Sequence, residues 1–151
     1  MTQEEKELVV NALCGYLPYG VKINIDSDFL RERGLDVQKL VGVDFSLMIV
    51  IAEHNCYNLE KIKPYLRPMS SMTEEELEEL CDGCDFEQPY NDYDSYSHYG
   101  IEIISEYCVT NEKYSESTIN YWVLDYLNSH HFDYRGLIPK GLALEAPQGM
   151  Y

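Results

Sequence analysis

Basic residues are scarce in this sequence: 11 Lys and Arg stand against 27 Asp and Glu, a formal net charge of −16. From Pro68 to Glu112 there are 13 carboxylates and no Lys or Arg, whereas Lys61, Lys63 and Arg67 crowd just before that stretch. A surplus of this size repels nucleic-acid phosphates and anionic membrane surfaces, so direct binding to either is disfavoured. Long apolar runs are also missing. The longest, Leu47 to Ala52, is far below the roughly 20 residues that cross a bilayer. Met1 to Lys6 is polar and acidic, so neither a membrane span nor a secretory signal is expected. Recognisable catalytic motifs are lacking too: there is no G-x-S-x-G elbow, Walker-type glycine loop, dinucleotide fingerprint or H-E-x-x-H pair. A non-enzymatic role without a cofactor is the expectation, with no catalytic residue assigned.

What is present suffices for folding. With 151 residues, 45% of them hydrophobic and 25% charged, the chain is long enough for one core and too apolar to remain disordered, so residues 1–151 are expected to form a single domain. Five cysteines form an odd set, Cys14, Cys56, Cys81, Cys84 and Cys108, which fits reduced thiols in a cytoplasm better than a disulfide framework. Cys81-Asp-Gly-Cys84 has the spacing of zinc sites and redox dithiols. A structural zinc site needs four ligands, and the second pair is missing unless His54-Asn-Cys56 supplies it through space, so no metal site is assigned.

Thr2 with Glu5 makes a capping-box pattern, and Leu8, Val9, Ala12, Leu13 and Tyr16 recur at helical spacing until Gly15 and Pro18 end the run. The chain therefore opens with an amphipathic helix. Val21, Ile23 and Ile25 then alternate with Lys22, Asn24 and Asp26, the mark of a half-buried strand, and Asp26 to Asp36 reads as a polar connection. Val41, Val43 and Phe45 alternate within Lys39 to Phe45, and Leu47 to Ala52 is a β-branched run suited to a central strand. Asn58 to Tyr65 reads as one more edge strand, and Pro64 with Pro68 predicts an extended segment leaving the sheet.

Thr73 with Glu76 repeats the capping-box pattern ahead of a short helix, Glu74 to Leu80, whose first-turn carboxylates suit the helix dipole. Residues 82–100 read as a Tyr/Asp-rich loop, partly mobile, in which Tyr90, Tyr93, Tyr96 and Tyr99 recur at every third position. Ile101 to Val109 reads as a strand. Ser117 is a good N-cap for a second amphipathic helix, on which Ile119, Trp122, Val123, Tyr126, Leu127 and His130 share the core-facing stripe. Gly136, Pro139, Gly141, Pro147 and Gly149 leave room for one turn of helix in an otherwise irregular strap from His131 to Tyr151. The fold class expected is α+β: a small curled antiparallel sheet of roughly three to five strands, SH3-like in one version, with an N-terminal and a C-terminal helix packed on it.

Three segments carry a family resemblance. They are Leu17-Pro18-Tyr19-Gly20-Val21; Ile62-Lys63-Pro64-Tyr65-Leu66-Arg67-Pro68-Met69-Ser70-Ser71-Met72-Thr73-Glu74-Glu75; and Asp125-Tyr126-Leu127-Asn128-Ser129-His130-His131-Phe132-Asp133-Tyr134-Arg135-Gly136-Leu137-Ile138, followed by Gly141 to Pro147. In these the chain resembles an uncharacterised family of small acidic proteins encoded in anaerobic gut bacteria and in their phages and mobile elements. The resemblance implies a bacterial cytoplasm and a phage or mobile-element context. It transfers no catalytic or binding residue.

Two function classes follow. In the first, an interaction protein presents the acidic, tyrosine-bearing segment to a basic protein surface, with Glu78, Glu79, Asp92, Tyr93, Asp94 and Tyr96 as the partner-binding residues. In the alternative, a small-molecule or nucleotide-binding module closes a pocket with the tyrosine loop. His130-His131 with Asp133 is the densest cluster of ligand-type side chains, but neighbours on a helix point about 100° apart, so both imidazoles reach one metal only if the helix ends between them. Asp133 is better explained as the cap of the turn from Tyr134 to Ile138, with Arg135 beside it or on the helix carbonyls. Oligomeric state is left open.

Overall fold

The computed structural model describes residues 1–82 and 121–151, with the side chains at 81, 82, 121 and 122 outside that description. Helix α1 runs over Gln3–Tyr16 behind a complete capping box: Thr2 Oγ1 accepts from the Glu5 N–H at 3.1 Å, and Glu5 accepts from the Thr2 N–H at 2.6 Å. Its buried stripe is Val9, Val10, Ala12, Leu13 and Tyr16. A 3₁₀ turn, Leu17–Tyr19, ends on Gly20 at φ 72°, where only glycine adopts the conformation without strain. The chain then enters β1 (Lys22–Ile25), with Ile23 and Ile25 facing the core.

One turn of helix, α2 (Asp28–Arg31), lies in the polar connection to β2 (Val37–Asp44). Strands β3 (Ile49–Ala52), β4 (Cys56–Asn58) and β5 (Ile62–Leu66) follow, then α3 (Glu74–Asp82), α4 (Tyr121–Ser129) and the two-residue β6 (Leu144–Glu145). The sheet order is β4-β3-β2-β1-β5-β6, antiparallel except for β5 with β6. The fold is α+β, as expected. The meander from β1 to β4 folds back so that β5 returns beside β1, as an SH3-like arrangement requires, but among the described residues the sheet is open, ending at β4 and β6.

Several local expectations change. Val41 is 56% exposed, not core-facing, because it is the extra residue of a bulge: Leu40 faces Ala52, yet Gly42 already faces Ile51. The bulge inverts the phase, so Leu40 is buried before it and Val43 packs against the core after it, while Phe45 lies past the end of β2 at the hairpin tip and is exposed. Leu47 lies in that turn, where Asp44 accepts from the backbone of Ser46 and Leu47, and β3 begins only at Ile49. β3 buries one face, Val50 and Ala52, and leaves Ile51 exposed, so it alternates instead of being buried on both sides.

The segment read as an edge strand, β5, lies inside the sheet, and Tyr65 and Leu66 stay in it, pairing with β6. Pro64 is tolerated there for a definite reason. The Asp26 N–H bonds the Lys61 carbonyl at 2.7 Å, so alternation makes Asn24 and Lys63 the next hydrogen-bonded pair and puts Pro64, opposite Ile23, in a non-bonded one. The strap after α4 is also more ordered than read: it contains β6 and buries Phe132, Tyr134, Leu137, Leu142 and Ala143. The expected loop over 82–100, the strand at Ile101 to Val109 and the Ser117 cap lie outside the described residues, as does the Trp122 side chain.

Helices α1 and α4 meet at Gly15, where a Cβ would come within 2.9 Å of Asn128 Oδ1. Tyr16, fully buried, donates its hydroxyl to the Phe132 carbonyl at 2.7 Å and ties α1 to the strap. The bulge assignment is tested by a pair of substitutions. Leu40→Ala should lower stability by roughly 2–5 kcal/mol, whereas Val41→Ala should stay within about 0.5 kcal/mol. Equal losses in urea denaturation would mean that the strand has no bulge.

Candidate functional site

Where β5 ends, one cation gathers the surrounding elements. Arg67 makes a two-pronged contact with Glu76 on the first turn of α3, 2.6 Å to Oε1 and 2.8 Å to Oε2, and its Nη2 donates to the Ser71 carbonyl at 3.2 Å. Its guanidinium carbon lies 4.2 Å from the Phe132 ring centroid. Its backbone is engaged as well: the Arg67 N–H donates to the His131 carbonyl at 2.8 Å, and its carbonyl accepts from the Asp133 N–H at 2.7 Å. Glu76 also closes the second capping box, accepting from the Thr73 N–H at 2.9 Å while Thr73 Oγ1 accepts from the Glu76 N–H at 3.2 Å. The Arg67 hydrogen bond holds the Glu76 carboxyl below the usual carboxylate range.

This contact fixes the part of α3 that carries two of the expected partner-binding residues. Leu77 and Leu80 are buried, while Glu74, Glu75, Glu78 and Glu79 are on the exposed side. Glu78 is exposed as read. Glu79 is exposed as read too, and its Oε2 accepts from the Tyr126 hydroxyl at 3.2 Å, joining α3 to α4. Burial and the Glu79 charge push the Tyr126 hydroxyl well up. Asp92, Tyr93, Asp94 and Tyr96, the other four expected residues, lie outside the described residues.

The paired histidines separate because the helix does end between them. The His131 N–H reaches the Asn128 carbonyl at 3.1 Å and the Phe132 N–H reaches the Leu127 carbonyl at 2.9 Å, the two bonds of a Schellman motif, with buried Leu127 and Phe132 as its hydrophobic pair. The left-handed position of that motif falls on His131, φ 60°, where a glycine is usual and any other residue costs about 1 kcal/mol. His130 stacks on Tyr126 at 4.1 Å, with Nδ1 3.0 Å from the Tyr126 carbonyl. His131 turns away toward the Tyr19 carbonyl, 3.1 Å from Nε2. A carbonyl only accepts, so Nε2 carries the proton and Nδ1 is a bare lone pair. That Nδ1 is buried with no partner among the described residues. Burial pushes the His131 imidazole down to about 4.

Asp133 caps the next turn as read, its carboxylate accepting from Leu137 N–H at 2.8 Å and Ile138 N–H at 2.7 Å. Arg135 does neither thing expected of it; it lies over the Tyr134 ring, 5.1 Å from the centroid, and donates to the Tyr134 hydroxyl. Cys14 is partly buried, which pushes its thiol up, and Cys56 is exposed on β4. Cys84 and the Cys81 side chain lie outside the described residues, among which no three metal-binding side chains come together.

Tyr151 was not singled out by its sequence context, yet the structure gives it three contacts. Its ring stacks on His131, 3.8 Å between centroids at 8°, and its hydroxyl accepts from the Lys22 N–H at 2.9 Å and donates to the Tyr65 carbonyl at 3.0 Å. Burial pushes that hydroxyl up to about 12. Only the β-strand register reveals this role, since it needs the positions of β1 and β5 together.

No protein-family model, curated protein or solved structure matches the chain. Among the described residues no helix is long and apolar enough to cross a membrane. The chemistry of these contacts therefore has to carry the functional reading.

His131 above, and the depressed carboxyls of Glu76, Asp44 and Glu60 below, predict an acid limb in two parts. His131 is neutral when folded and binds its proton more readily unfolded, so stability falls as pH drops from about 6.5 to the folded value of about 4. Glu76 is depressed by Arg67, so its contribution is full above about pH 4.3 and is lost as pH falls through its lower folded value. In urea denaturation from pH 7 to pH 3, His131→Gly should flatten the upper part alone, and Glu76→Gln should reduce the lower part alone, which Asp44 and Glu60 share. A single unaltered limb in both variants would contradict these assignments. Arg67→Ala should cost more than about 2 kcal/mol at neutral pH, since it strands a partly buried carboxylate.

Proposed function

We propose that the chain is a non-enzymatic acidic interaction protein, a phage or mobile-element factor acting in a bacterial cytoplasm, whose acidic surface docks on a basic site of a nucleic-acid-binding or defence protein of the host. The observation that supports this reading most is the charge map. A net charge of −16 coexists with a helix whose exposed side carries Glu74, Glu75, Glu78 and Glu79. That helix is seated by a capping box at its start, by Arg67 through Glu76, and by Leu77 and Leu80 underneath. Carboxylates on a fixed helix are preorganised, so a cationic partner meets them without first ordering them.

Charges of this kind act mainly before contact, by steering encounter, and they are screened beyond about 8 Å at physiological ionic strength. The test is kinetic, with the basic protein that co-purifies from the native host. Neutralising Glu74, Glu75 and Glu78 to Gln together should slow association several-fold at low salt, with the difference closing as salt is raised and dissociation little changed. If the variant associates like the wild type throughout a salt series, the helix is a solubilising face and the reading falls.

A further inference from the structure

We propose that the gap between β1 and β5 is a receptor for a tyrosyl side chain, filled at rest by the chain's own Tyr151 and able to take a tyrosine of another polypeptide in its place. This goes beyond the acidic docking reading and does not depend on it.

The register makes the gap specific. Asn24 and Lys63 form a hydrogen-bonded pair, so two residues further along Lys22 and Tyr65 are due to form the next. Instead the Tyr151 hydroxyl stands between them, accepting from the Lys22 N–H at 2.9 Å and donating to the Tyr65 carbonyl at 3.0 Å. A phenol is the one side chain that carries a ring long enough to stack and a hydroxyl that both accepts and donates at its tip. A phenylalanine in the same seat would leave both backbone groups unpaired. The hydroxyl is protonated and able to donate at neutral pH, and burial pushes its titration further up.

His131 is the floor of the seat, and stability alone does not account for it. It occupies the left-handed end of a Schellman motif at φ 60°, where glycine would be unstrained, and buries an Nδ1 that has no partner among the described residues, at 5% exposure. What the imidazole provides in return is the Nε2–H bond to the Tyr19 carbonyl at 3.1 Å and a flat face parallel to the Tyr151 ring, 3.8 Å away. A residue kept in a strained and unsatisfied state against a ring it stacks on points to recognition of that ring.

The occupant is held lightly. The Tyr151 residue remains 42% exposed. The last backbone bond from this segment to the sheet is the Ala146 N–H to the Leu66 carbonyl, 2.8 Å. Past it, Pro147, Gln148 and Gly149 are exposed, and Tyr151 itself is assisted by Lys22, whose Nζ donates to the Met150 carbonyl at 3.2 Å and lies 5.9 Å from the Tyr151 ring centroid, and by the Met150 N–H on the Pro147 carbonyl at 3.1 Å. The seat belongs to Lys22, Tyr65 and His131, none of them in that segment, so it persists when Tyr151 leaves.

The experiment uses the full chain carrying Tyr151→Ala, with N-acetyl-L-tyrosinamide as probe and its phenylalanine counterpart as control, followed by NMR at the Lys22 amide and the His131 ring. Saturable shifts at both positions are expected. The tyrosine compound should bind at least tenfold more tightly than the phenylalanine one, and wild type should bind it several-fold more weakly because Tyr151 competes. Adding His131→Gly, which relieves the strain at φ 60° but removes the Nε2 bond to the Tyr19 carbonyl, should abolish the shift at Lys22 while the chain stays folded, which a merely structural histidine would not do. If Tyr151→Ala does not fold, titrating wild type decides: the probe should move the Tyr151 ring resonances to free-tyrosine positions. Absence of shifts at Lys22, equal binding of the two compounds, or an unmoved Tyr151 in that titration would overturn the proposal.

Discussion

Arg67 is the residue on which the other arrangements rest. Its guanidinium satisfies Glu76 with two charge-assisted bonds and covers one face of Phe132, while its peptide groups clamp the chain on either side of Phe132. Arginine alone suits this place. A lysine ammonium lacks the planar fork that meets both carboxylate oxygens and the flat face that lies on a ring. The contact is neither an exposed ion pair of negligible worth nor a deeply buried one dominated by desolvation. The two side chains keep 23% and 19% of their surface, dry enough to strengthen the hydrogen bonds and wet enough to limit the penalty.

From this point the structure divides into two consequences. Through Glu76, Arg67 fixes α3, and with it the glutamates of the acidic surface. Through the His131 and Asp133 backbones it fixes the end of α4, so that Asp133 can cap the turn at Leu137 and Ile138, and β6 can reach β5. The same clamp sets the His131 ring beneath Tyr151. An acidic helix and a tyrosine seat, apart in the sequence, are therefore positioned by one cation.

Features that depend on near neighbours were legible in the sequence. Both capping boxes, the buried stripe of α1, the alternation of Val21, Ile23 and Ile25, and the Asp133 cap all follow from spacing that local physics fixes. Features that depend on register were not. The bulge at Val41 shifts the buried phase of β2 without any signal in composition, and the internal position of β5 is decided by pairing with β1 and β6, which no single segment encodes. Of the site, Glu78 was readable as an exposed carboxylate. Arg67 was visible only as part of a basic cluster, and Tyr151 was not singled out, because its partners Lys22 and Tyr65 are brought to it by the fold.

Native-state hydrogen exchange at the amides of Leu77, Phe132 and Asp133 tests the central role of Arg67 most directly, comparing wild type with Arg67→Gln. These amides lie on α3 and on the chain after α4, elements that Arg67 links through Glu76 and its own peptide groups, beside the Tyr126–Glu79 hydrogen bond. In wild type all three should open together, and in the variant all three should lose protection by a similar factor while the Leu40 amide of β2 keeps a larger share of its own. If Leu77 alone lost protection, with Phe132 and Asp133 unchanged, Arg67 would merely seat a helix, and the account of one cation positioning both surfaces would be contradicted.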